Sequence, residues 1–144
     1  RLIIGKTDVI QMLNGAIGGL VAITAEPLMP SPFAAILIGA VGGIIVVFGT
    51  KLLLALKIDD VVGAIPAHLF AGIWGTLAVP LTNSAANFGS QIIGVISINL
   101  FVFFVSILVW IIMKSTMGIR LSKGAEIKGT DVSEVGVIAY AIRD

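Results

Sequence analysis

The chain has no cysteine, one histidine and little charge. Of its 144 residues, 9 are Lys or Arg and 8 are Asp or Glu, so that 12% are charged. A water-soluble domain carries about 25%, and a chain with half that supply cannot cover its surface with solvated groups. Without cysteine there is no disulfide framework and no thiolate metal site, and one histidine cannot assemble a Cys/His zinc cluster. No metal or other cofactor is therefore expected. A formal net charge of +1 lacks the basic excess of a nucleic-acid binder, so no nucleic-acid partner is expected either. No glycine-rich phosphate loop follows a strand pattern, and the acid nearest to His68 along its own helix is Asp60, two turns away. That leaves no footing for acid–base or nucleophilic catalysis, and an enzyme is not expected. The first residue is Arg1 rather than Met, as in a chain that has been processed, trimmed or taken from something longer.

What the chain has in excess is apolar residues, 58% of the total. They fall in four runs, Val9 to Ala25, Phe33 to Leu56, Ile58 to Thr82 and Phe88 to Met113. At about 17, 24, 25 and 26 residues, each is long enough to cross roughly 30 Å of bilayer hydrocarbon. Backbone groups in lipid must be satisfied within the segment, so helices are expected. Barrel strands would alternate apolar and polar residues over about ten positions, and no such alternation occurs. The fold class read from these features is an all-α membrane protein, with four transmembrane helices in residues 1–113 and a cytoplasmic tail in residues 114–144.

The connectors orient it. Pro27, Pro30 and Pro32 stop the first run and make a short turn, and Asn83 to Ser90 form a polar turn before the fourth; neither contains Lys or Arg. The basic residues lie at Arg1 and Lys6, at Lys51 and Lys57, and at Lys114, Arg120, Lys123, Lys128 and Arg143. In an up-down-up-down arrangement these places share one face, which the positive-inside rule makes cytoplasmic. A multi-pass protein of the cell membrane with both ends of this segment inside is expected. The tail mixes basic residues with Glu126, Asp131, Glu134 and Asp144 and is not a polybasic lipid clamp.

The first run carries Asn14-Gly-Ala-Ile-Gly-Gly and the second Ile38-Gly-Ala-Val-Gly-Gly, a small-residue pattern that predicts close helix packing. The most informative residue is His68. Counted from Ile58 at about 1.5 Å per residue, it lies roughly 15 Å in, near the bilayer centre. An ionisable group at that depth usually faces a protein interior or cavity. Helical spacing puts Ala64, Ala71, Gly72 and Gly75 on its face, with Ile65, Leu69 and Ile73 on a lipid-suited stripe. Pro66 frees the carbonyl of Val62 and bends the helix. Asp59 and Asp60 cap its start, Trp74 and Trp110 suit interfacial belts, and Gln11 and Asn14 suit hydrogen bonds between helices. The plainer role for His68 is a neutral ring that only fixes packing.

The segment Asp59-Asp-Val-Val-Gly-Ala-Ile-Pro-Ala-His-Leu-Phe-Ala-Gly-Ile-Trp-Gly-Thr resembles the helix of the ammonium transporter family that carries the second of two pore histidines. Gly5-Lys6 with Asn14 to Thr24 is similar to that family's eighth helix. Gly118-Ile-Arg-Leu, Gly129-Thr-Asp-Val-Ser-Glu and Ala139-Tyr140 resemble its cytoplasmic C-terminus. The similarity covers nearly the whole chain, in order, and implies helices eight to eleven of an eleven-helix subunit. By position, His68 would be the second pore histidine, Ile17 and Ala64 would line a narrow hydrophobic conduit, and Asp60 would support the pore helix. The family captures ammonium outside and passes ammonia inward, with paired imidazoles bonding the substrate and offering a proton route. A dry conduit opposes a bare cation, whereas ammonia needs only a hydrogen-bond partner such as a neutral imidazole. The implied partners are ammonium or ammonia, the lipid bilayer, further copies in a homotrimer, and a P-II type signalling protein at the tail. The chain departs from the family pattern at Val61, where a proline is usual, at Gly63, acidic in some members, and at Val135 and Val137 in the tail. An ammonium sensor that binds without conducting, and an independent four-helix bundle, are the competing readings.

Overall fold

The computed structural model describes residues 8–139; Arg1, Lys6, Arg143 and Tyr140 lie outside the described residues. The regular elements among residues 8–139 are all helical, with no strand. The helices are α1 (Val9–Ile23), α2 (Pro32–Ala55), α3 (Ala71–Ala78), α4 (Phe88–Thr116) and α5 (Lys123–Lys128). A π-helical stretch, Ile65–Phe70, leads into α3, and a 3₁₀ turn, Val79–Leu81, follows it. A second π stretch, Asp131–Val135, follows α5. The chain divides into two compact units, Arg1–Asn99 and Leu100–Asp144.

Each start has a local cause. Asp8 accepts from the Gln11 amide at 3.0 Å and caps α1. Ser31 accepts from the Ala34 amide at 3.2 Å, with Pro32 next at the first helical position, where a missing N–H costs nothing. Asn87 accepts from the Ser90 amide at 2.8 Å and caps α4. The end of α2 is less usual. Lys57 adopts φ 57, and the amides of Ile58 and Lys57 bond to the carbonyls of Leu53 at 2.9 Å and Leu54 at 3.1 Å. This is a Schellman ending in which lysine occupies the left-handed site that glycine normally fills.

Within the first unit, α1 and α2 pack antiparallel through the two small-residue blocks. A Cβ on Gly19 would lie 3.0 Å from the Gly39 carbonyl oxygen, and one on Gly42 would lie 2.7 Å from both the Ala22 Cβ and the Gly18 oxygen. Glycine is thus what lets the two backbones touch, as the sequence pattern predicts. The stretch from Ile65 through α3 lies on both helices. A Cβ on Gly75 would meet the backbone of Ala22, and one on Gly49 would come within 2.6 Å of the Phe70 ring. The core combines Ala22, Ala67, Ala71 and Ala78 with Ile38, Val46, Leu53 and Val79, while most large apolar side chains face outward. So much outward-facing apolar surface suits a membrane protein.

The helix lengths differ from the runs of apolar sequence. α2 and α4 are long and apolar enough to cross a membrane, whereas α1 and the stretch Ile65–Leu81 are shorter. α4 has no buried residue. The third run is predicted to be helical from Ile58, but residues 58–63 are not helical. Val61 and Val62 are apolar and still lie in a turn, because Gly63 takes φ 73 and the helix capped by Asp60 starts only at Ala64.

The second unit contains a small folded tail. Ser122 caps α5 by accepting from the Ala125 amide at 3.3 Å. Ser133 donates to the Gly129 carbonyl at 2.8 Å, and Asp131 accepts from the Ala139 amide at 2.9 Å. Arg120 forms a two-pronged pair with Glu126, Nε to Oε1 at 2.8 Å and Nη2 to Oε2 at 3.3 Å. The hydrogen bond from Arg120 and then its charge hold the Glu126 carboxyl below its usual range, and the same bond raises Arg120. Amide hydrogen bonds from Ala139 and Val132 hold Asp131 low.

Candidate functional site

The site is built at the start of the third helical stretch. Asp60 uses both carboxylate oxygens, Oδ1 accepting from the Ala64 amide and Oδ2 from the Ile65 amide, each at 2.9 Å. Pro66 has no amide hydrogen to satisfy, and the Ala67 amide bonds to the Gly63 carbonyl at 3.2 Å. Every amide of this first turn is accounted for, a condition that a helix start in an apolar setting demands. Pro66 therefore sits in a first turn and not inside a helix, so the bend expected from it has no basis here. The Val62 carbonyl is not left free either: Asn14 of α1 donates to it from Nδ2 at 2.8 Å.

Because the helix begins at Ala64 and residues 58–63 are not helical, the rise from Ile58 to His68 is not that of ten helical residues. His68 lies within the π-helical stretch. Such wide turns are rare and frequent at functional sites. Its side chain is exposed and borders a recess of about 310 Å³ shared with Gly72 and Thr76 on its own stretch and with Gln91, Gly94 and Asn99 on α4. Leu69 and Ile73, assigned above to a lipid-facing stripe, border the same recess. Of the small residues expected around the imidazole only Gly72 does so; Ala71 and Gly75 are buried, Gly75 against α1. The wider π winding breaks the 3.6-residue spacing on which that assignment rested.

The other expected site residues are distributed differently. Asp60 and Ala64 are joined by the capping bond. Ile17 is 39% exposed and Ala64 is exposed, and neither borders the His68 recess. The Trp74 indole donates to the Ile38 carbonyl at 3.0 Å and the ring packs on the Ala22, Ile38 and Ala78 cluster. Asn14 makes the link between elements expected of it, whereas the Gln11 carboxamide oxygen is buried with no partner among the described residues. The two outer connectors are also linked. Glu26, in the first connector, accepts from Asn83 Nδ2 at 2.9 Å across 57 residues. Both belong to polar connectors, and nothing in their spacing pairs them. Among the described residues no group of His, Asp and Glu is arranged to hold a metal ion.

The profile of the Ammonium Transporter Family matches residues 1–140. The chain belongs to that family. It is similar to a Synechocystis protein provisionally named an ammonium transporter, at 41% identity over 133 residues, covering 91% of this chain and 30% of the relative. It is 36% identical to the ammonium transporter Amt2 of Archaeoglobus fulgidus, covering 94% of this chain and 33% of the relative. With the ammonium transporter Amt1 of Haloferax mediterranei the identity is 35%, over 94% of this chain and 27% of the relative. The chain thus spans about a third of the length of the curated relatives it matches.

Proposed function

We propose that this segment is the C-terminal part of an ammonium transporter subunit, in which His68 contacts ammonia on a path through the membrane. The observation that carries this reading is the environment of His68, the single ionisable side chain of the stretch Ile65–Leu81. It opens on a recess whose lining combines Leu69, Ile73, Val95 and Ile98 with the polar Thr76, Gln91 and Asn99. A neutral imidazole there has one donor and one acceptor nitrogen, which suits a solute as small as ammonia, while apolar surroundings penalise a bare cation. Membership of the family supports the same reading.

In this proposal residues 1–113 carry four membrane spans, corresponding to helices eight to eleven of the family's eleven, and residues 114–144 form a cytoplasmic tail. The shorter α1 and Ile65–Leu81 cross with their flanking turns, and both ends of the segment face the cytoplasm of the cell membrane. Ile17 and Ala64 belong to the hydrophobic conduit, and Asp60 holds the start of the histidine-bearing helix. The subunit works as a homotrimer together with the rest of the transporter, and the tail is where a P-II type regulator would dock. The chain is not an enzyme.

Transport by the full-length protein in cells dependent on scarce ammonium tests this. His68→Leu is expected to change uptake of both ammonium and methylammonium relative to wild type. Unchanged uptake of both would remove His68 from the path, and binding without flux in liposomes would favour a sensor.

A further inference from the structure

The histidine-bearing stretch is held to α1 at both ends. At its start, Asn14 donates from Nδ2 to the Val62 carbonyl at 2.8 Å. At its end, Ala71 is fully buried, and a Cβ on Gly18 would lie 3.6 Å from the Ala71 Cβ. Asn14 and Gly18 stand about one turn apart on the same face of α1, and His68 lies between the two points they hold. We propose that Asn14 is a positioning residue for His68, its bond to Val62 keeping the wide winding that aims the imidazole into the recess. This rests on the transport reading above and deepens it, since Asn14 acts on the histidine and not on the solute.

The winding is what needs holding. The Ala71 amide is shared between the carbonyl of His68 and that of Pro66, five residues back, where an α-turn would bond it to the carbonyl four residues back. Such wide turns are rare, and rewinding this one as α would rotate one end of the stretch against the other by one residue's turn, roughly 100°. The His68 side chain is exposed at its recess, so its backbone is what aims it. Contact with α2 does not fix that aim alone. It is apolar, with Pro66 and Phe70 lying where a Cβ on Gly49 would fall, and apolar contact has no preferred direction. The Asn14 bond has one, because a donor must meet the carbonyl oxygen near its lone pairs. Among the described residues it is the one hydrogen bond that reaches residues 59–71 from another helix.

The test uses the full-length protein in bilayers with its histidines carrying nitrogen-15, whose ring signals report tautomer and hydrogen bonding at each nitrogen. The His68 signals are those lost in His68→Leu. In Asn14→Leu they are expected to shift while those of any other histidine stay in place. The maximal uptake rate, corrected for protein in the membrane, is expected to fall about tenfold, with the half-saturating ammonium concentration within about twofold of wild type. Gly15→Ala is the control: it lies next along α1, its added Cβ meets nothing within 4 Å, and both signals and uptake should match wild type. Asn14→Ser, whose hydroxyl stops short of the Val62 carbonyl, takes the place of Asn14→Leu if that variant does not reach the membrane. His68 signals that do not move overturn the proposal even where uptake falls, because a loss that bypasses the ring belongs to the fold at large. Uptake within about twofold of a transporting wild type overturns it as well. A wild type that carries no ammonium defeats the transport reading instead, and the ring signals then decide the role of Asn14 alone.

Discussion

The side-chain amide of Asn14 reaches across 48 residues of sequence to donate to the Val62 carbonyl at 2.8 Å. The bond ties α1 to the turn that launches the histidine-bearing helix. Gly63 makes room for it: a Cβ at that position would collide with Asn14 Nδ2, and the backbone there has φ 73, a conformation that side-chain-bearing residues avoid. Asn14→Leu is therefore expected to destabilise the fold by about 0.5 to 1.5 kcal/mol, the worth of one such hydrogen bond. Gly63→Ala should cost more, because it adds backbone strain to the lost contact. Thermal unfolding of purified variants in detergent checks the order, and a Gly63→Ala protein as stable as wild type would contradict the strain.

The two-oxygen cap by Asp60 makes a graded prediction. Asp60→Asn keeps one acceptor oxygen and Asp60→Ala keeps none, so the loss should be larger for alanine, about 1 to 2 kcal/mol. The local readout is hydrogen exchange at the Ala64 and Ile65 amides, which donate to that carboxylate. Both should exchange faster in Asp60→Ala, while amides in the middle of α2 stay protected. Uniform exchange across the segment would mean that the cap does no more than any surface carboxylate.

How much of this could be read from residue order depends on the scale of the feature. The contact of α1 with α2 was visible because the repeated Gly-Ala-x-Gly-Gly blocks encode it by size alone. The helix start at Ala64 was not, because Val61 and Val62 continue the apolar run while Gly63 breaks the backbone, and hydropathy does not register a single φ. The surroundings of His68 were half visible. Its need for a cavity follows from chemistry, but the residues sharing that cavity depend on the π winding, which no 3.6-residue count anticipates. The Glu26–Asn83 bond and the indole of Trp74 on Ile38 are long-range events between segments whose order says nothing of their approach.

The α1–α2 contact gives a prediction with an internal control. A Cβ on Gly42 would fall 2.7 Å from two atoms at once, one of them backbone, whereas a Cβ on Gly15 meets nothing within 4 Å. Gly42→Ala should destabilise by about 1 to 3 kcal/mol as an overpacked contact. Gly15→Ala should be neutral or slightly stabilising, since alanine is the better helix former by about 1 kcal/mol. Unfolding midpoints of the two variants compared with wild type decide the point, and equal effects would remove steric contact as the cause.

The tail carries a pH dependence whose sign follows from its two depressed carboxyls. Glu126 is held low by the hydrogen bond and charge of Arg120, and Asp131 by the amides of Ala139 and Val132. A carboxyl with a folded-state pKa below its unfolded value contributes stability that is complete above the unfolded value and is lost as pH falls through the folded one. Unfolded Asp and Glu titrate near about 3.9 and 4.3, so the tail should be fully formed at neutral pH and loosen progressively below about pH 4. Hydrogen exchange at the Ala139 amide, which donates to Asp131, is the direct readout: protection should fall with pH after correction for the intrinsic rate. Asp131→Asn should weaken that protection already at neutral pH and flatten its pH dependence. Glu126→Gln, by contrast, should loosen the Arg120 end while leaving the Ala139 amide protected, since that amide's acceptor is untouched. The exposed Arg120–Glu126 pair should also weaken with added salt, whereas the Asp131 bonds to neutral amides should not. Loss of Ala139 protection that tracked salt and ignored pH would mean that the ion pair, and not Asp131, holds the tail together.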